Sequence, residues 1–535
     1  MWQQTYTPVG SLGASALVAA APIFVLLLLL AVFKRPAWFS ALCGLGTAFL
    51  VAIFMYGMPV SLGLSATAYG AAFGLFPIGW IVLWAIVLYR ITLETGKFEI
   101  IKDSVGGLTQ DSRLQALLIA FAFGAFIEGA AGFGTPVAVA AAMLTGLGFS
   151  PFQAAAICLL ANTAPVAFGS IGIPLVTLQG ITKLPLNELS GDVGRICAPV
   201  SFFIPGYLIV VMSGWRALKG VLPAALLCGT AFSSAQFFVS NYLGPYLTDI
   251  IGALASIGVL VGLLQFWKPK QIQTNTDVLP RKHATSEVLL AWAPYGLLVL
   301  FVLLWGWPDM KALLNKATQQ FGWPGLHGLI QRMPPVVGKP SSYDAIYKLD
   351  FLAASGTSCM LASFASALVL RVSLRRFAGI FVATIRQLAF SFLTMASVLG
   401  LAFLMNYSGA TATLGLAFAA SGAAFPFFSA LLGWLGVFLT GSDTSANALF
   451  GNLQVVTANS LGLKPVLMAA SNSSGGVMGK MISLQSIAVA CAATGMSLAD
   501  ESKLFRFTLR HSVLLATVIG LIVLFYSYVT PWFVY

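Results

Sequence analysis

The sequence predicts an all-α polytopic membrane protein, with about twelve transmembrane helices plus two re-entrant hairpins in inverted repeats. Three observations carry that prediction. Of 535 residues, 59% are hydrophobic and 8% charged, against about 25% charged in soluble domains. Apolar runs of roughly twenty residues, long enough to cross the hydrocarbon core as a helix, recur down the chain without strand-like alternation. Two longer runs, 114–146 and 425–460, are interrupted at their middles by polar, glycine-rich stretches.

Taken in order, the uninterrupted spans fall near 16–33, 37–57, 73–94, 152–174, 192–213, 220–241, 245–267, 287–306, 351–370, 383–405, 466–494 and 511–531. Residues 1–10 carry no basic stretch, so the first apolar run is expected to be a retained helix rather than a cleaved signal. The long hydrophilic connection is 307–350. Lys and Arg gather in short loops, which accounts for the net charge of +12 through membrane topology. Basic stripes with interleaved aromatics are absent, so nucleic acid is not an expected partner. The six cysteines all fall in apolar segments and read as small core residues.

Charge then sets sidedness. Lys34 and Arg35 place the first loop in the cytoplasm and the N-terminus outside. Lys97, Lys102 and Arg113 are inside as well. If 114–146 enters the bilayer and returns, then Arg216, Lys219, Lys268, Lys270, Arg281, Lys282, Arg371, Arg375 and Arg376 are all inside too. A single crossing would put Arg216 and Lys219 outside. The re-entrant reading therefore satisfies the positive-inside rule at each cluster, and it places both termini in the periplasm.

An internal repeat supports the same layout. Leu147-Gly-Phe-Ser-Pro151 resembles Leu461-Gly-Leu-Lys-Pro465, 314 residues later. Shifting span 37–57 by that offset lands on another span, and shifting Leu114 lands near the start of the second interrupted run. A further polar break follows each turn: Ala161-Asn-Thr-Ala-Pro165 in one half and Ser471-Asn-Ser-Ser-Gly-Gly476 in the other. The first copy starts outside and the second inside, so the repeats are inverted. The expected units are 1–219, with five spans and hairpin 114–146; a connector, 220–286; and 287–535, with five spans, hairpin 425–460 and a periplasmic loop at 307–350. Inverted repeats with paired broken helices point to a secondary transporter with its site at the midplane.

The chemistry concentrates at those breaks. Exposed peptide groups in hydrocarbon cost several kcal/mol each, so irregular backbone at that depth survives where it lines a protein cavity. Of sixteen acids, Glu128 and Asp443 fall deep inside apolar segments, at nearly repeat-related positions. A desolvated carboxyl can exchange a proton near neutrality, which suits both to proton coupling. The simpler alternatives are a packing kink with Glu128 snorkelling to an edge and Asp443 as a helix N-cap. Lys480 is the cation placed well inside a span, able to attract an anion or pair with Asp443; Arg195, near a span start, can snorkel. Gly132, Gly134, Thr135, Asn162, Thr163, Ser442, Thr444, Ser445, Asn447, Asn472 and Ser473 add helix N-termini, hydroxyls and amides suited to a small anion.

Rival functions fit less well. There are three histidines, and no HExxH, GxSxG or Walker pattern, so no enzyme, metal site or cofactor is expected. A channel would want a continuous polar stripe, whereas polarity here collects at four breaks. Sodium-coupled carboxylate transport stays open as an alternative, and the sequence carries no signal of oligomeric state.

Four stretches resemble a known family. Gly124-Ala-Phe-Ile-Glu-Gly-Ala-Ala-Gly-Phe-Gly134, Asn162-Thr-Ala-Pro-Val-Ala-Phe-Gly169, Phe438-Leu-Thr-Gly-Ser-Asp-Thr-Ser-Ala-Asn-Ala-Leu-Phe450 and Gly475-Gly-Val-Met-Gly-Lys-Met-Ile-Ser483 are similar to signature stretches of bacterial L-lactate permeases. The resemblance runs from Trp2 to near the C-terminus. It implies proton-coupled uptake of L-lactate, with D-lactate and glycolate as further substrates, across the bacterial inner membrane.

Overall fold

The structure, a computed structural model, describes residues 1–132, 134–274, 281, 283–496 and 498–535; Phe133 of the first signature stretch and Lys282 of the basic loop lie outside them. By length and composition, eleven of the described helices can cross a membrane, or twelve when the bent pair Pro151–Ala161 and Val166–Thr182 counts as one span. The chain is a multi-pass membrane protein.

Helix α1 (Leu12–Ala31) starts on Ser11, whose hydroxyl accepts the Ala14 N–H at 3.3 Å. Helix α2 (Ala37–Leu50) follows and runs on through a π turn. Helix α3 (Val60–Glu94) has 35 residues and is kinked at Phe76, whose dihedrals are not helical, ahead of Pro77. It begins thirteen residues before the expected 73, because Ser, Thr and Tyr dilute the hydropathy of its first turns. After the short α4 (Lys97–Gly106) come α5 (Ser112–Ala130), with a π-helical stretch at its centre, and α6 (Thr135–Gly146).

Helices α5 and α6 pack side by side. The twelve residues of α6 span about 18 Å, too short for a 30 Å hydrocarbon core. At the start of α5, Arg113 donates to the carbonyls of Ala217 (3.2 Å) and Gln271 (2.7 Å). Just after α6, Phe152 packs on Phe507, one turn from His511, which bonds Tyr207. Both ends of 112–146 therefore lie near one turn of the chain, around Gly214.

Next are α7 (Pro151–Ala161), α8 (Gly169–Thr182) and the long α9 (Leu186–Tyr242). Non-helical dihedrals at Gly214 and Val221 fold α9 into two antiparallel limbs, with Ser190 donating to the Ser240 carbonyl at 2.8 Å. The expected spans 192–213 and 220–241 are those limbs. Helices α10 (Thr248–Phe266) and α11 (Thr285–Gly306) lead to the hydrophilic connection.

The all-α expectation holds for the spans, and that connection adds a few short strands outside them. The connection contains α12 (Pro308–Asn315) and short strands β2 (Gln319–Gly322), β3 (Ile330–Arg332), β4 (Ser341–Ser342) and β5 (Ile346–Leu349). Strand β1 (Trp2–Gln3) joins β3 in parallel, while β3 pairs β4 and β2 pairs β5 antiparallel. Outside a bilayer, water satisfies sheet edges, so short strands are tolerated there. Gln4 ties the N-terminus down by donating to the carbonyls of Asn406 (3.0 Å) and Tyr407 (2.8 Å).

The second half contains α13 (Ser355–Val369), α14 (Leu374–Ser408), α15 (Ala410–Phe418), α16 (Phe425–Thr440), α17 (Asp443–Leu461), α18 (Pro465–Lys480), α19 (Leu484–Thr494) and α20 (Leu498–Tyr528). Helix α14 also has 35 residues, and its start lies 314 residues after that of α3. Packing is reciprocal: α2 lies on α14 as α13 lies on α3, and α1 touches α15 as α11 touches α4, although α11 starts 273 residues after α1. Helices α6 and α19 pack together, as do α17 and α8. Helices α16 and α17 lie side by side, with both outer ends near the chain termini. There Tyr528 donates to the Ala423 carbonyl at 2.9 Å, and Lys464 donates to the Val534 carbonyl at 2.7 Å.

Candidate functional site

Three of the four expected breaks are irregular in the structure, and the fourth is displaced. Between α5 and α6 the chain turns at Gly132 (φ 60°) and Gly134 (φ 83°), a left-handed conformation that residues with a side chain rarely adopt. Thr135 closes this turn by donating to the Gly132 carbonyl at 2.5 Å. Between α7 and α8 the helix opens after Asn162, and Ser170 and Ile171 are left-handed without being glycine. Such strain persists where the surroundings over-determine it. Here Ser170 donates to the Ala131 carbonyl at 3.1 Å, locking the first two breaks together. The third break is Gly441-Ser442, between α16 and α17.

The fourth was expected at 471–476, but α18 is helical throughout that stretch. Its small polar residues serve close packing instead: a Cβ on Gly475 would sit 2.0 Å from the Ala430 carbonyl oxygen of α16. The break comes later, at 481–483, before α19 begins on its Ser483 cap.

These breaks enclose a cavity of about 190 Å3. Of the residues singled out from sequence, Glu128, Gly134, Ser442, Asp443, Thr444, Ser445 and Lys480 line it. Glu128 is buried, and its Oε2 accepts from Asn162 Nδ2 at 2.8 Å. Asp443 Oδ2 accepts from Ser473 at 2.5 Å and from Asn447 at 3.4 Å; its Oδ1 has no hydrogen-bond partner among the described residues. The N-cap of α17 is Ser442, accepting the Ser445 N–H at 3.3 Å, so Asp443 is not spent on capping. Lys480 donates to the Gly441 carbonyl at 2.6 Å and lies within electrostatic reach of both carboxyls. It forms no salt bridge among the described residues, so one ammonium faces two acids across the cavity.

Asn162, Asn447 and Ser473 stand behind the lining rather than in it. Asn472 is a step further back: it donates to Asn447 Oδ1 at 2.9 Å and accepts from Gln454 at 3.0 Å. Gln454 was not singled out from sequence, since one amide in an apolar helix gives no signal of its own. Thr163 joins none of this; it donates to the Leu160 carbonyl at the end of α7. The cavity also recruits Ser170, Ser391, Thr394, Gln485 and Ser486, which read as ordinary helix residues in sequence. Arg195 is paired with buried Asp192 at 3.1 Å and stacked on Tyr535, holding the C-terminus rather than the cavity.

Burial brings in one acid at a span end that hydropathy does not single out. Asp249, placed by hydropathy at a span end, is 1% exposed. It sits in the first turn of α10 against α5, where a Cβ on Gly129 would lie 2.8 Å from its own Cβ.

With this geometry in hand, the sequence profile of the L-lactate permeases matches residues 15–530. The chain belongs to the L-lactate permease family. It is 45% identical to the L-lactate permease of Bacillus subtilis (strain 168), covering 100% of both chains. It is 43% identical to the glycolate permease GlcA of Escherichia coli (strain K12), over 99% of this chain and 98% of that one. Among solved structures, the Neisseria gonorrhoeae efflux pump MtrF aligns with a TM-score of 0.46 and 13% identity, over 90% of this chain and 85% of that one. The family is one of permeases, membrane transporters rather than enzymes.

Proposed function

We propose that this permease takes up L-lactate, with D-lactate and glycolate, by proton symport across the bacterial inner membrane. One observation carries the reading: two buried carboxyls and one ammonium converge on a single cavity enclosed by helix breaks. A monocarboxylate meets Lys480, the hydroxyls of Ser442, Thr444 and Ser445, and the N-terminal ends of α6 and α17, which favour anions. The names of the two relatives supply the substrate class. A lactate anion moving alone would work against a potential negative inside, at about 2.3 kcal/mol per charge per 100 mV. A proton carried on Glu128 or Asp443 cancels that opposition and lets the pH gradient drive accumulation.

In this reading 1–219 and 287–535 are inverted repeats joined by the connector 220–286, and both termini face the periplasm. The reciprocal packing of α1–α4 with α11 and α13–α15 supports the repeat. The shared position of both ends of 112–146, and of both ends of 425–460, supports two opposed re-entrant hairpins whose tips meet at the cavity. Alternating access then moves the hairpin-bearing part against the remaining helices. Reporter fusions after Gly148 and Lys219 should read cytoplasm, and after Lys464 and Tyr535 periplasm. A periplasmic signal at Gly148 would make 112–146 a plain crossing.

The decisive measurement is uptake of labelled lactate and glycolate into vesicles, with and without an imposed pH gradient. Acid outside should drive both substrates above their external concentration. Accumulation that ignores the pH gradient and follows sodium instead would replace the proton with another ion.

A further inference from the structure

Resting on the symport reading above, we propose that Asp249 is a third carboxyl of the coupling machinery, the one that takes the proton from the external side and hands it to Glu128. The geometry sets it apart from the other buried acids. Asp249 is 1% exposed, and neither of its carboxyl oxygens has a hydrogen-bond partner among the described residues. Asp111 and Asp192, equally buried, are each matched to an arginine, at 2.6 Å and 3.1 Å. Glu128 and Asp443 have amide or hydroxyl donors and share the field of Lys480. Asp249 has none of these.

An ionised carboxylate without donors or a counter-charge in a protein interior costs several kcal/mol, so this environment suits a group that holds a proton. The titratable groups facing it from the packed helices are Glu128 of α5, within electrostatic reach, and the thiol of Cys197 on α9. No lysine or arginine among the described residues comes within salt-bridge distance.

Position supplies the direction. Helix α10 begins at the bundle end that carries the chain termini: Ser240, near the end of α9, meets Ser190, and neighbouring Asp192 accepts the Tyr535 N–H at 3.0 Å. Gly129, bare of a side chain, lets the Asp249 Cβ approach the backbone of α5 one residue from Glu128. In the transfer, a proton from external water adds to the Asp249 carboxylate. Its O–H bond then breaks as a new one forms on the Glu128 carboxylate, directly or across one water. Asp249 is left ionised, ready to be reloaded from outside. Glu128, on the cavity, carries the proton with the substrate.

The test uses the full chain in proteoliposomes. In Asp249→Asn, accumulation driven by acid outside should fall at least tenfold, while lactate counterflow at equal pH stays within about threefold of wild type. Asp249→Glu should keep accumulation, with a displaced pH dependence. A purely structural role predicts the opposite order, because Asn is isosteric and Glu overfills the contact with Gly129. Asp249→Asn accumulating like wild type would overturn the proposal. A wild type that ignores the pH gradient would instead overturn the symport reading and the relay with it. Should neither variant reach the membrane, the Glu128→Gln, Asp443→Asn double variant decides. With Asp249 the remaining acid of the three, it should show a protonated-carboxyl infrared band at neutral pH, and its absence refutes the relay.

Discussion

The tips of the two turns at the cavity, Gly132–Gly134 and Gly441–Ser442, embed their carboxyls in opposite ways. Glu128 lies just before its turn, at the end of α5, with a single amide donor and glycines around it: Gly132 and Gly169 are bare where a Cβ would meet its Oε1, at 3.4 and 2.5 Å. Asp443 lies just after its turn, in the first turn of α17, and is anchored to a network across α16, α17 and α18. That network runs from Asp443 through Asn447 and Asn472 to Gln454 and Ser429. One tip packs its acid in a glycine cradle with one amide donor; the other ties one oxygen of its acid into a polar network. One carboxyl therefore depends on a single amide, and the other is tied through Oδ2 while its Oδ1 stays unpartnered on the cavity. Hydrogen bonds in a buried network strengthen one another, so the second tip is the better place to fix substrate geometry and the first the better place to exchange a partner.

The largest effect expected from breaking this arrangement is loss of coupling. Asp443→Asn, or failing that Glu128→Gln, should abolish uphill lactate accumulation while leaving counterflow measurable in de-energised vesicles. The amides keep the shape but carry no exchangeable acid proton. Asp443→Asn should also raise the concentration of lactate needed for half-maximal counterflow, because its network orders the hydroxyls of α17; Glu128→Gln should leave that concentration nearly unchanged. If both neutral variants still accumulate lactate with the pH gradient, neither tip carries the proton.

Much of this was legible in the sequence, for identifiable reasons. The spans follow from hydropathy, because a bilayer demands a fixed length of apolar helix. The turns at Gly132 and Gly441 are marked by glycine beside a carboxylate, which no plain membrane helix needs. The stretch 471–476 has the same composition and a different purpose. Its Asn472 carbonyl meets Gly433 of α16, where a Cβ would approach to 1.8 Å, so small residues there mean two helices in backbone contact rather than a broken one. Asp249 and Gln454 were hidden for another reason. Hydropathy reads a residue's neighbours in the chain, whereas their burial comes from helices distant in sequence: α5 over Asp249, α16 and α18 around Gln454. The strands of the 307–350 connection were hidden because each pairs only two to four residues, too few to show a period.

The smaller effect, and the finer probe of the comparison, lies in the two asparagines. Asn162 and Asn472 each support an acid at their own tip, and Ala at either removes a buried polar partner, worth about 1–3 kcal/mol, or roughly 5–150-fold in transport at 1.4 kcal/mol per decade. The tips should differ in how that loss appears. Asn162→Ala leaves Glu128 without its amide donor, with only Lys480 to stabilise its charged form, so the defect should grow as the external pH rises and the carboxylate form is favoured. Asn472→Ala instead unpairs Asn447 and Gln454, two neutral amides whose cost does not depend on pH. Its defect should be uniform across pH and accompanied by lower thermal stability in detergent. Measuring uptake of labelled lactate between pH 5.5 and 8 in vesicles of matched permease content separates the two. Parallel pH profiles for both variants would mean that the tips are embedded alike in function, and that the contrast between a cradle and a network has no consequence for transport.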